Sequence, residues 1–103
     1  MHRELSSQQK ESLIRYITSC YRKSCQRQRM KLHGKEGSDP ADTLTVSLYE
    51  SALEALPGKY REIIVREFLD EEGEGWYYHY YSKSTFYRLR QRAISEFMDC
   101  LNV

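Results

Sequence analysis

The chain has 103 residues, 40% of them hydrophobic and 30% charged, with a formal net charge of +1. That is one domain's worth, enough for a single modest core and not for two. No apolar run approaches the roughly 18 residues of a membrane span and Met1–Leu5 lacks the apolar stretch of a signal peptide, so the expected location is the cytoplasm, with no membrane partner. Cys20, Cys25 and Cys100 are odd in number and form no CxxC pair. That argues against a disulfide framework and a zinc site, and predicts buried free thiols.

The small net charge hides a segregation. Residues 1–38 carry nine Lys/Arg and three Asp/Glu, residues 39–74 carry three and ten, and residues 75–103 carry four and two. The nets are +6, −7 and +2. Two readings are open at this level: a polyanionic partner for the basic surface, or internal pairing of the basic and acidic thirds.

In chain order, a first helix is expected from Ser6 or Ser7, where a hydroxyl precedes polar helix formers. Leu13, Ile14, Ile17, Cys20, Tyr21 and Cys25 then recur at helical spacing. The helix is expected to end at Leu32 or His33, before Gly34. Gly34 to Pro40 is the clearest loop, punctuated by two glycines and an Asp-Pro pair. A second helix is entered at Asp39/Pro40 or at Asp42/Thr43, with Leu44, Leu48, Tyr49, Ala52, Leu53 and Leu56 as its apolar set. Pro57 ends it and opens a third helix, whose buried stripe is Tyr60, Ile63, Ile64, Phe68 and Leu69. Glu62, Arg66 and Glu67 are expected to face outward, with Glu62 pairing with Arg66. Glu71 to Gly75 is a second loop, and Trp76 to Tyr81 reads as one or two helical turns. The last helix, 82–101, is capped by Ser82 or Ser84. Phe86, Leu89, Ala93, Ile94, Phe97, Met98 and Leu101 line one side of it.

The opening of that last helix carries the chemistry. Beside its apolar anchors it shows ammonium, hydroxyl, guanidinium and amide groups near a helix N-terminus. The major groove of DNA admits one helix, and these groups can bond to base edges. The N-terminal backbone donors and partial positive charge suit a phosphate. Lys83, Ser84, Arg88 and Tyr87 are therefore candidates for base edges. Thr85, Arg90 and Arg92 are candidates for phosphates. A solvated amphipathic surface helix is the plain alternative.

Two stretches add a resemblance. Ala55-Leu56-Pro57-Gly58-Lys59-Tyr60-Arg61-Glu62-Ile63-Ile64 resembles the Leu-Pro…Arg-x-hydrophobic-hydrophobic opening of region four of bacterial sigma factors. Tyr81-Ser82-Lys83-Ser84-Thr85-Phe86-Tyr87-Arg88, continued by Arg92-Ala93-Ile94, resembles its recognition helix. The second stretch is more particularly similar to the ArpU-like transcriptional regulators of Gram-positive phages. The resemblance covers residues 44–101. It implies a C-terminal helix-turn-helix, sequence-specific binding of double-stranded DNA in transcription regulation, a phage or mobile-element origin, and RNA polymerase as a further partner. It places Lys83, Ser84 and Arg88 among base-reading residues and Arg92 on the backbone. The chain departs from the pattern at Gly75–Tyr81, which is short and has no glycine in the turn before the recognition helix.

The expectation is thus an all-α protein of four to five helices, in one compact domain. A basic amphipathic helix occupies 1–33, a loop 34–43, and a sigma-region-four-like helix-turn-helix region 44–103. Arg22, Lys23 and Arg27 of the first helix extend the phosphate footprint, dock on the Glu71/Glu72/Glu74 loop, or meet a partner protein. Trp76, Tyr77, Tyr78, Tyr80 and Tyr81 are divided between core packing and contact with sugar-phosphate or bases. His79 reads as a surface or interface histidine. No phosphate-cradling loop, metal-spaced ligand set or nucleophile elbow is present, so neither an enzyme nor a cofactor is expected. A homodimer through the first helix would enlarge the interface with DNA. The competing function is a protein-interaction module that keeps the helix-turn-helix fold without reading DNA, for which the near-neutral charge speaks.

Overall fold

A computed structural model describes residues 5–32 and 39–102. All regular structure among them is helical: α1 Ser7–Leu32, α2 Pro40–Ala55, α3 Gly58–Ile64 running on into a π-helical turn Val65–Leu69, and α4 Lys83–Leu101. His33 to Ser38, where the first helix was expected to stop and the loop to lie, fall outside the described residues. None of the helices among the described residues is long and apolar enough to cross a membrane.

Local chemistry sets each boundary. At the head of α1, Ser6 N–H donates to Gln9 Oε1 at 2.8 Å while Gln9 N–H donates to Ser6 Oγ at 3.2 Å. This reciprocal capping box satisfies two of the donors a helix start leaves open. Asp39 caps α2, accepting from Ala41 N–H at 2.9 Å, and Pro40 occupies the first turn. The stretch 40–43, expected as the end of the loop, is therefore the opening turn of α2. Leu56 is extended, φ −76° and ψ 145°, as a residue before proline must be. Pro57 stands at the cap position of α3, one place earlier than expected, and its carbonyl accepts from Tyr60 and Arg61 N–H, both at 3.0 Å.

Arg61 then folds back on the end of α2. Its guanidinium donates to the carbonyls of Leu53, Glu54 and Leu56 at 2.9, 2.9 and 3.0 Å. One cation thus serves three carbonyls at the end of α2, of which that of Leu53 also accepts from Leu56 N–H, and it suits the negative end of the helix dipole. The Leu-Pro…Arg stretch is thus a structural joint that fixes how α3 leaves α2. At the far end of the chain Asn102, φ 61° and ψ 45°, closes α4 in the left-handed conformation.

The core lies where α2, α3 and α4 meet under α1. Ile14, Tyr49, Ile63, Ile64, Phe86, Ile94 and Phe97 are all at most 1% exposed. Burying a side chain such as Phe97 contributes about 1.5–3 kcal/mol. The Tyr49 ring stacks on Tyr21 at 4.2 Å and meets Phe97 edge-on at 5.2 Å. The apolar stripe of α1, expected also as a dimer contact, packs here: Ile14 is in the core, with Leu13, Ile17 and Tyr21 against it.

Several expectations change. Leu44 and Leu48 are 59% and 58% exposed, not buried. Asp42, Tyr49 and Leu56 recur every seven residues and set the buried line of α2. Leu44 is two residues past Asp42 and Leu48 one before Tyr49, so each lies roughly 100–200° round the helix. Glu67, expected to face outward, follows Ile63 by four residues and shares its inward side. Cys100 is exposed and Cys20 and Cys25 are half-buried, so no thiol is fully buried. Residues 76–81 form hydrogen-bonded turns, not a helix, with Tyr78 N–H to Gly75 O at 3.1 Å and Tyr80 and Tyr81 N–H to Tyr77 O at 2.9 Å. Gly73 and Gly75 flank the Glu74 turn at φ +88° and +85°, where L side chains are strained.

Candidate nucleic-acid interface

α4 is positioned by a capped start and an aromatic anchor. Ser82 Oγ accepts from Thr85 N–H at 3.3 Å and its hydroxyl donates to Thr85 Oγ1 at 2.9 Å. Thr85, expected at a phosphate, thereby belongs to the cap. Phe86 sits in the second turn between Tyr77, stacked at 3.6 Å, and Trp76, edge-on at 5.4 Å. Three of the five residues of the aromatic cluster pack with the core, Tyr77 buried and Trp76 and Tyr81 half-buried, while Tyr78 and Tyr80 are 65% and 59% exposed. Burial, followed by the neighbouring hydroxyls of Tyr87 and Tyr78, pushes the Tyr77 phenol up to about 12. His79 is exposed.

The predicted contact residues of α4 separate into three groups. Ser84, Arg88 and Arg92 are all exposed and follow at four-residue steps, so they share one line along the helix. Gln91, also exposed, stands beside that line. Lys83 and Tyr87 are exposed too, but they line a cleft on another side of the helix, with Glu71 and Glu74 across it. Arg90 is not on the surface at all. It is 8% exposed, with Nε 2.9 Å from Glu67 Oε2 and Nη2 2.5 Å from Glu11 Oε1.

The Arg90 network explains itself by position. Arg90 stands four residues after Phe86 and four before Ile94, on the core side of α4. A charge there needs partners, because desolvation opposes ionisation. Burial lowers the guanidinium's affinity for its proton, and the hydrogen bonds to Glu11 and Glu67 outweigh it, leaving the pKa raised. Glu11 is lowered in turn, chiefly by its hydrogen bond with Arg90. Trp76 Nε1–H donates to the other Glu67 oxygen at 2.7 Å, and the Arg90 guanidinium lies 5.3 Å from the centre of the Phe68 ring. One arginine thus joins α1, the π-helical turn and α4.

The basic face of α1 is similarly engaged. Arg22 Nη2 donates to the Phe68 carbonyl at 2.6 Å and to that of Leu69, and Nη1 reaches Glu71 Oε1 at 3.4 Å. It closes the C-terminal end of the π-helical turn. Arg27 holds the buried carboxylate of Asp42 through Nε at 2.9 Å and Nη2 at 2.7 Å, and Ser24 Oγ donates to the same group at 3.1 Å. Arg15 pairs with Glu11 at 2.9 Å. Arg66 pairs with Glu62 at 3.3 Å, as expected from their spacing, and with Glu72 at 3.4 Å. Internal pairing of the basic and acidic thirds therefore accounts for Arg22 and Arg27, while Lys23 is exposed and has no ion pair among the described residues.

Three further residues were not legible as partners in the sequence. Lys10 of α1 reaches over α4 and donates from Nζ to Ser95 Oγ at 3.2 Å, three residues beyond Arg92. Thr18, 1% exposed, shares a 2.8 Å hydrogen bond with the Tyr49 hydroxyl, and Ser24 is 2% exposed against Asp42. Thr18 and Ser24 sit beside the apolar stripe at helical spacing, which is the signal that they are inside. Nothing in the local sequence brings Lys10 to Ser95.

Among the described residues the fold is all-helical, with a capped C-terminal helix whose exposed line bears cations without carboxylate partners. No group of three or more His, Cys, Asp or Glu side chains suited to a metal occurs among the described residues. No protein-family model, curated protein or solved structure matches the chain.

Proposed function

We propose that this chain binds duplex DNA sequence-specifically and regulates transcription, with α3, the intervening turns and α4 acting as a helix-turn-helix. The first half of α4 enters the major groove. Ser84 and Arg88 meet base edges, and Arg92 meets a phosphate. One observation carries this reading. Among the described residues, Arg15, Arg22, Arg27, Arg61, Arg66 and Arg90 are all held by carboxylates or carbonyls of the chain. Arg29 of α1, Arg88 and Arg92 are not, and of these Arg88 and Arg92 lie together on one exposed line near the positive N-terminal end of α4. The resemblance of 55–64 and 81–94 to sigma region four and to ArpU-like regulators supports the same reading.

Fluorescence anisotropy on a mixed-sequence duplex at two salt concentrations tests it. Binding should weaken with salt, and an Arg88→Ala, Arg92→Ala double variant should bind more weakly. The log–log salt slope should fall by about 0.9 for each phosphate contact removed. Absence of binding at low salt by the native chain overturns the proposal. It would favour an interaction module that leaves DNA alone, a reading the aromatic and acidic cleft beside Lys83 favours.

A further inference from the structure

Between the start of α1, the loop after the π-helical turn and the start of α4 lies a cleft of about 580 Å³. That volume is in the range of sites that enclose a small ligand or a single long side chain. Its walls differ in chemistry from the exposed line of α4.

One wall is a corner of rings. Tyr77, stacked on Phe86, forms its floor. Tyr78 and Tyr87 stand against Tyr77 at 4.9 and 6.3 Å, with their planes turned by 77° and 67°. The backbone makes room for this: a Cβ on Gly75 would fall 2.7 Å from Tyr78 Cε2. The facing wall carries Glu71 and Glu74. The other lining carboxylates, Glu11 and Glu67, are already bound to Arg15 and Arg90. Glu74 has no ion-pair partner among the described residues.

Ring faces are negative at their centres and attract cations. Carboxylates opposite them add to that attraction and repel a phosphate or carboxylate guest. The chain uses this combination already, at Arg15 and Arg90 over Phe68 and again at Arg66. Arg66 lies 5.0 Å from the centre of the Trp76 ring and 5.7 Å from that of Tyr80, and pairs with Glu62 and Glu72. The same aromatic segment presents Tyr77 and Tyr78 to the cleft, where no cation of the described chain lies over them.

The geometry points to a docking site for an arginine side chain of a protein partner, with its guanidinium against Tyr78 and Tyr87 and its charge met by Glu74. Arginine fits better than lysine because its planar group stacks on rings and bonds a carboxylate through two parallel donors. Lys83 stands at the α4 edge of the cleft, where it can donate to a main-chain carbonyl beside the incoming arginine, and Arg15, which also lines the cleft, is held by Glu11. The residues involved are distinct from the Ser84, Arg88, Arg92 line, so the site stands independently of DNA binding.

An amide NMR titration of the full chain with N-acetyl-arginine methylamide tests the site. The amides of Gly73 to Tyr78 and of Tyr87 should shift and saturate, and the neutral analogue N-acetyl-glutamine methylamide should leave them in place. A Glu74→Gln variant should weaken binding roughly tenfold, and Tyr78→Ala comparably. Both positions are exposed, so the remaining amide spectrum should be retained. DNA binding by Glu74→Gln should equal that of the native chain, which separates failure of this site from failure of the DNA reading. Absent shifts, or equal shifts with the neutral analogue, overturn the assignment.

Discussion

Arg22 and Arg27 on α1 carry the same group as Arg88 and Arg92 on α4, and by sequence pattern all four belong to basic helix faces. In the fold they part. Arg22 closes a π-helical turn and Arg27 neutralises a buried aspartate, whereas Arg88 and Arg92 have no carboxylate partner among the described residues. The difference is in what each helix faces. α1 packs on the acidic middle of the chain, so Arg22 and Arg27 find carboxylates and carbonyls at hand. α4 turns its charged line away from that middle. Basic character alone therefore marks no interface.

This comparison breaks most sharply at Arg90, two residues before Arg92. Arg90→Ala strips Glu67 of its ion pair and leaves Glu11 with Arg15 alone, and should cost about 3 kcal/mol, the low end for a broken buried pair. That is a large share of a domain's stability, and thermal unfolding should show it. Arg92→Ala, on the exposed line, should shift stability by no more than about 0.5 kcal/mol. Equal losses would mean the two positions are not divided as described.

A smaller effect is expected at the polar seam between α1 and α2. Thr18→Val keeps the shape but leaves the buried Tyr49 hydroxyl without its 2.8 Å partner. The expected cost is about 1–3 kcal/mol by denaturant titration, with DNA binding unchanged.

The pH dependence sharpens the same division. Glu11 has its folded pKa lowered below the ordinary 4.5 by Arg90. Its contribution is therefore fully present above that value and is lost as pH falls through the lowered folded pKa. Melting temperature should decline on acidification below pH 4.5, and more weakly in Glu11→Gln. The smallest effect belongs to Lys23→Ala. This exposed cation on α1 should alter stability little, and a change in DNA salt slope would return α1 to the footprint.

Much of the architecture is written locally. The Ser6, Asp39 and Ser82 caps, the Pro57 break and the spacing of Phe86, Ala93, Ile94 and Phe97 determine the helices and the core side of α4, because caps and periodicity act within a few residues. Arg90, expected at a phosphate, and Glu67, expected to face outward, nevertheless stand four residues from Phe86 and Ile63, on the core sides of their helices. What the chain alone left undecided was which charges would meet. Glu11 lies 79 residues from Arg90, Arg22 lies 49 from Glu71, and Lys10 lies 85 from Ser95. Pairings at such separations depend on how whole helices pack. Only the tertiary structure therefore decided which cations are consumed inside the protein and which remain exposed without an ion pair among the described residues.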